Sequence, residues 1–255
     1  MCVAAFAWQA HPRWLLVAIG NRDEFHERPA APLAEWEAGQ HGGILAGRDL
    51  KSGGTWLGVS QAGRFALVTN LRGHGTPEPD RASRGSLVTD LLTGKGRYSD
   101  PITAPLQEFN PFNLILADGE QAHFLTNRPD DLRTGLAHGI YGLSNGTLDE
   151  PWPKTLQLKG ALLDWLNRSS DDFAPLLSAL RNDHLADVGV PPREPSDVPR
   201  EAPETPVFIR DRVYGTRCST VVAIDRDGHG TIIERRFSAE SESTGETTLA
   251  FQWPE

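Results

Sequence analysis

Cysteine is scarce in this chain: 255 residues hold only two, Cys2 and Cys218. With one at the very start, the pair makes a poor disulfide framework. This excludes a small secreted scaffold and points to a reducing compartment, the cytoplasm. Long apolar runs are missing too, none approaching the roughly 18–20 residues of a membrane-spanning helix. The short apolar stretch Cys2–Trp8 has no basic region before it and no small-residue cleavage site after it, so it does not read as a signal peptide. Basic charge is outweighed, with 25 Lys+Arg against 34 Asp+Glu and a net charge of −9. That balance excludes a general nucleic-acid binder. The eight histidines form no pair at ligand spacing beside a cysteine, so no zinc site and no resident cofactor is expected.

What is present describes a globular domain. Apolar residues make up 38%, and counting glycine brings the share into the globular band of about 45–50%. A chain of this length can bury a large core without disulfide or metal, and we expect one layered domain over residues 1–255. Residues 2–8 and 14–20 are apolar runs around a turn-like link, a predicted hairpin. Residues 22–43 carry too much proline and charge for a long helix. Residues 54–60 and 64–70 flank Gln61-Ala62-Gly63, which suits a hairpin with a bulge. Residues 83–92 read as a helix from Ser83 to a Gly94 stop. A second strand pair is expected at 112–117 and 121–126, then helices at 153–167 and 171–181. Their apolar stripes run through Leu156, Leu163 and Leu166, and through Phe173, Leu177 and Leu180. Residues 183–206 read as a long loop, and strands at 216–224 and 231–237 close the chain. Antiparallel hairpins with helices between them predict two sheets covered by helices, an α+β fold.

Cys2 is the residue with the most chemistry to offer. A small second residue permits removal of Met1, which would give Cys2 a free α-amino group beside its thiol. That amine, with a pKa of about 7.7–8.0, can accept the thiol proton, so one residue would supply nucleophile and base. The plain alternative is a small buried residue opening a strand. Asn21-Arg22-Asp23-Glu24 follows the second strand and, if the hairpin pairs, lies within reach of Cys2. Arg22 would raise the thiolate fraction and Asp23 would orient the amine. A solvated turn of charges is the alternative. Arg72-Gly73-His74-Gly75 and Ser83-Arg84-Gly85 offer anion-friendly backbone, though neither is a nucleotide loop. Trp56 reads as core or pocket wall. Flexible turns are the plain alternative for both segments; as substrate contacts the candidates are Arg72, His74 and Trp56.

Together, Cys2, Asn21-Arg22-Asp23-Glu24, Gly53-Gly54-Thr55-Trp56-Leu57-Gly58 and Thr69-Asn70-Leu71-Arg72 resemble the NRDE family. It is also called the transport and Golgi organisation protein 2 family. That family is similar to N-terminal-nucleophile hydrolases of the penicillin V acylase and bile salt hydrolase type. The resemblance implies a four-layer αββα sandwich of two antiparallel sheets. It also implies a catalytic set of Cys2, Arg22, Asp23, Asn70, Asn145 and Arg217, with the two asparagines stabilising an oxyanion. One departure leaves open whether Asp23 or Glu24 faces the site: those hydrolases place Asp three residues after Arg, whereas here Asp23 follows at once. Cys218, alternating with Arg217, is expected on the opposite strand face, in the core. The implied activity is hydrolysis of a non-peptide C–N bond in a small acyl amide. The alternative implied by the family is a non-catalytic carrier of haem, acyl-CoA or lipid.

Overall fold

The first two strands decide where the chemistry sits. In the computed structural model, which describes residues 2–37, 42–168, 170–196, 202 and 204–254, β1 spans Cys2–Trp8 and β2 spans Trp14–Phe25. β2 is longer than its apolar run predicts, so Asn21 to Glu24 belong to the strand rather than to a solvated turn. The extension holds because their polar groups find partners. Asn21 donates to the carbonyls of Leu180 and Val207, each at 2.8 Å, and accepts from Ser219 at 2.7 Å. Buried polar groups are tolerated on such terms.

Four further strands complete this first sheet: β10 (Gly139–Leu143), β11 (Tyr214–Asp225), β12 (His229–Phe237) and β13 (Ser243–Gln252). The order is β10-β1-β2-β11-β12-β13, antiparallel throughout. The second sheet is a meander in chain order. It consists of β3 (Ala30–Glu35), β4 (Ile44–Asp49), β5 (Leu57–Ser60), β6 (Arg64–Asn70), β7 (Phe112–Ala117), β8 (Ala122–Thr126) and β9 (Leu132–Gly135). The expected turn between β5 and β6 is present, with Gly63 at φ +76°, a backbone region glycine enters without strain.

Side-chain alternation sorts the strands into layers. Ala4, Phe6, Trp8, Leu16 and Ala18 point inward and meet Leu57, Phe65, Leu67 and Ile115 of the second sheet. Val3, Ala5, Val17 and Ile19 point the other way, onto helices α2 (Pro153–Asn167) and α3 (Ala174–Leu180). Helix α1 (Arg84–Thr93) covers the outer face of the second sheet through Leu87, Val88, Leu91 and Leu92. The result is the four-layer αββα sandwich. Gly94 ends α1 in the left-handed region at φ +65°, while Ser83 holds the N-cap position without a side-chain cap bond.

One expectation fails in α2. Leu163 is 47% exposed and Leu156 only half-buried; the buried face is Leu158, Leu162, Trp165 and Leu166. Trp165 draws the helix round by packing on Trp14 and Phe173, with ring centroids 5.6 Å apart in each pair. A fully buried aromatic contributes roughly 2–3 kcal/mol by area alone, and so outweighs one leucine's choice of face. In α3, Leu177 and Leu180 are buried as expected, joined by Leu176, with Phe173 at the margin. Among the described residues, no helix is long and apolar enough to cross a membrane.

Candidate active site

Strand register gathers the site. Cys2 on β1 and Cys218 on β11 are both cross-strand partners of Arg22 on β2. Adjacent antiparallel Cα atoms lie about 4.5–5.5 Å apart. The two thiols therefore belong to strands roughly 10 Å apart, beyond disulfide reach, and both are free. Cys2 shares the inward face with Ala4 and Phe6, so its side chain enters the space between the sheets. Its carbonyl accepts the Ser144 hydroxyl at 2.9 Å.

Arg22 is held across that space. Its Nη2 donates to Oδ2 of Asp49, on β4 of the second sheet, at 2.7 Å, and Arg28 Nε donates to the same oxygen at 2.5 Å. The other Asp49 oxygen accepts the backbone N–H groups of Lys51 and Ser52. Burial would raise the Asp49 carboxyl, but the Arg28 hydrogen bond, the Ser52 N–H and the two guanidinium charges bring it below the usual range. Glu24 stands 3.7 Å from both Arg22 and Arg28. Neither Asp49 nor Arg28 carries a recognisable motif signal, and sequence reasoning missed both.

Asp23 and Glu24 divide the work that the motif leaves open. Asp23 is buried, with Oδ1 accepting the Thr216 hydroxyl at 2.6 Å. Burial pushes the Cys2 thiol up, and the Asp23 carboxylate adds to the rise. The Arg22 charge and a hydrogen bond from the Asp23 backbone act in the opposite sense. Asp23 is thus the carboxylate that senses Cys2, while Glu24 belongs to the Arg22–Arg28–Asp49 cluster.

A cleft of about 510 Å³ opens at Cys2. Arg22, Asp23, Trp56 and Asn70 line it beside the thiol, and Lys51, Arg81, Arg84 and Gly85 line its outer part. Two glycines allow its shape. A Cβ on Gly20 would stand 3.1 Å from the Trp56 ring, and one on Gly54 would stand 2.3 Å from the backbone carbon of Gly85. The first lets Trp56 lie on the first sheet, and the second brings the start of α1 against the cleft. Asn70 ends β6, and among the described residues no hydrogen bond to its side-chain amide is present. Asn145 differs: it is fully buried, it lies outside the cleft lining, and its amide N–H donates to the Asn70 carbonyl at 2.7 Å. It braces Asn70 rather than facing the cleft as an oxyanion donor would.

A family model described as Transport and Golgi organisation 2 matches residues 1–239. The chain belongs to this family. The transport and Golgi organization protein 2 homologs of Bos taurus and Homo sapiens are each 34% identical to it, with 97% of this chain and 97% of theirs aligned. Two structures of variant conjugated bile acid hydrolase from Clostridium perfringens are similar in fold. Their TM-scores are 0.55 and 0.52 at 8% and 7% identity, covering 98% and 99% of this chain and 92% and 97% of theirs. The family member therefore shares the fold of conjugated bile acid hydrolase.

Besides Asn145, three expected site residues of this family member lie outside the cleft. Arg72 is buried with its guanidinium 4.5 Å from the Trp152 ring centre, away from the cleft, and its backbone N–H donates to Asn145. His74 is exposed and lines no part of the cleft. Arg217 lines a second chamber of about 270 Å³, which shares Arg22, Asp49, Thr55 and Trp56 with the cleft. A register shift between Thr216 and Cys218 leaves Arg217 unpaired against β2. Alternation breaks at this bulge, so Arg217 and Cys218 line the same chamber instead of opposite faces. Cys218 remains buried, and burial, then the nearby Glu234 carboxyl, pushes its thiol well up. Asp225, Asp227 and His229 cluster at the far end of β11, but they bond within their own turn and bear no relation to the cleft.

Proposed function

We propose that this protein is an N-terminal-cysteine amidohydrolase of the cytoplasm, cleaving a non-peptide C–N bond in a small acyl amide. The observation that carries the reading is Cys2 at the head of a cleft, directly across from Arg22, with Asp23 behind it and Asn70 beside it. A thiol raised by burial needs a base, and the α-amine freed by removal of Met1 supplies one at neutral pH. The amine takes the thiol proton and sulfur attacks the amide carbonyl. The Asn70 side-chain amide donates to the resulting oxyanion, a contact typically worth about 3–4 kcal/mol. The ammonium then gives its proton to the leaving nitrogen, leaving a thioester on Cys2. Water, deprotonated by the same amine, releases the acid. Arg22, fixed by Asp49, stabilises the thiolate, and Asp23 holds the amine.

The test is turnover of chromogenic acyl amides by the mature protein, with intact mass reporting Met1 removal and an acyl adduct on Cys2. Loss of turnover in Cys2→Ala with unchanged folding is expected. Unchanged turnover, or a chain that retains Met1, overturns the reading.

The outer cleft favours a second reading, the family's carrier role. Lys51, Arg84 and the start of α1 line it, with Arg81 paired to Glu78 at 2.7 Å beside them, and the first two cations with the helix start suit the anionic groups of an acyl-CoA. Haem is served less well, because among the described residues no histidine lines the cleft and Cys2 is the one soft ligand there. Saturable acyl-CoA binding without turnover would favour the carrier.

A further inference from the structure

The second chamber holds an electrostatic imbalance that the hydrolytic chemistry does not use. Arg22 Nη1 and Arg217 Nε are both buried without a hydrogen-bond partner among the described residues, and both residues line the chamber. Arg217 spends its Nη1 on the carbonyls of Phe25 and Arg28, at 2.8 and 2.9 Å, which fixes the guanidinium in place. Burial, and then repulsion from Arg22, pulls the Arg217 group below its ordinary value. Two guanidinium groups thus line one chamber, each with a buried N–H that no described residue accepts.

Of the acids nearby, Glu24 stands 3.7 Å from both Arg22 and Arg28, which share it, and it lies outside the chamber lining. Asp49 already serves Arg22, Arg28 and two backbone N–H groups. Glu234 accepts the Leu33 N–H at 2.8 Å, and burial pushes its carboxyl up, toward the neutral form. Arg236 adds a third cation to the lining. Buried donors of this kind call for an acceptor, and planar guanidinium groups match a carboxylate best. The remaining wall is apolar, with Ala31, Pro32 and Phe237. At about 270 Å³, the chamber is just below the size of drug-sized ligand pockets, about 300–1,000 Å³, and suits a smaller molecule.

We infer that this chamber is a binding subsite for a small carboxylate with a short apolar body, its anion held between Arg22 and Arg217 and its chain against Pro32 and Phe237. Because the chamber and the Cys2 cleft share Trp56 and Arg22, a substrate can place its carboxylate end here while its amide lies at Cys2. That last assignment rests on the hydrolase reading, whereas the binding itself does not.

Calorimetric titration of the Cys2→Ala protein tests the subsite without turnover. Hexanoate is expected to bind saturably and hexanamide, of the same shape without the charge, at least tenfold more weakly. Arg217→Gln should weaken hexanoate at least tenfold, and Ala31→Trp, which fills the chamber from the partly exposed strand β3, should abolish its binding. Equal binding of hexanamide, no binding of hexanoate, or indifference to both substitutions overturns the inference. Tighter binding of inorganic phosphate than of hexanoate also overturns it. If wild-type protein hydrolyses no amide while hexanoate still binds as described, the hydrolase reading fails and the subsite stands.

Discussion

Arg22 donates to Asp49 at 2.7 Å across the space between the two sheets, from β2 to β4. This bond fixes the guanidinium of the residue that pairs with Cys2 across the strands, and the two side chains are only 12% and 13% exposed.

Removing the Asp49 carboxylate leaves Arg22 and Arg28 without their shared partner. Asp49→Ala should destabilise the fold by about 2–4 kcal/mol at pH 7, as expected for breaking a largely buried pair. The folded carboxyl titrates below its ordinary 3.8. Its contribution is therefore fully present above that value and is lost as pH falls through the folded value. Urea unfolding of both proteins between pH 3 and 7 should show the gap closing at the acid end.

Burial and Asp23 raise the Cys2 thiol while Arg22 opposes them. Alkylation of Cys2 by iodoacetamide should accordingly be slow at pH 7 and accelerate as pH rises. Arg22→Gln should move that profile to higher pH by about one unit, the lower end of what an adjacent opposite charge contributes. Mass-resolved labelling separates Cys2 from Cys218, which should react more slowly still.

Asn145 donates to the Asn70 carbonyl at 2.7 Å. Asn145→Ala should lower kcat for an amide substrate by about 10–100-fold with a smaller change in KM. Asn70→Ala should cost about 10²–10³-fold, the usual loss for an oxyanion donor. Equal kcat in wild type and Asn145→Ala would show that the bond to the Asn70 carbonyl has no positioning role.

Glu234 is a buried acid whose folded value lies above its ordinary 4.5. Its contribution to stability is complete below pH 4.5 and is lost as pH rises through the folded value. Glu234→Gln keeps an oxygen for the Leu33 N–H and carries no charge. The variant should match wild type near pH 4 and exceed it at pH 7.5, as read from urea midpoints.

Much of the scaffold was legible in local pattern. Alternation and turn residues delimited β1, β6 and β7, and the 153–167 helix, because each buries a regular face against a neighbour. The strands β3, β4, β9, β10 and β13 escaped notice. β3 and β13 lie at sheet edges, where exposed polar residues erase the alternating signal; β9 and β10 are also edge strands, and β4 ends in charged residues.

By itself the sequence determined that one cysteine stands at the head of an apolar strand and that Arg22 follows the second strand within pairing distance. Hairpin register is a local property, so it could be read from strand length and turn. Only the tertiary structure decided what surrounds them. It brought Asp49 from the other sheet to Arg22, turned Asn145 onto Asn70 and removed Arg72 and His74 from the cleft. The β-bulge at Arg217 joined that residue to Cys218 in a second chamber. Each of these depends on how two sheets stack or on one unpaired residue in a ladder, and neither leaves a period in the sequence.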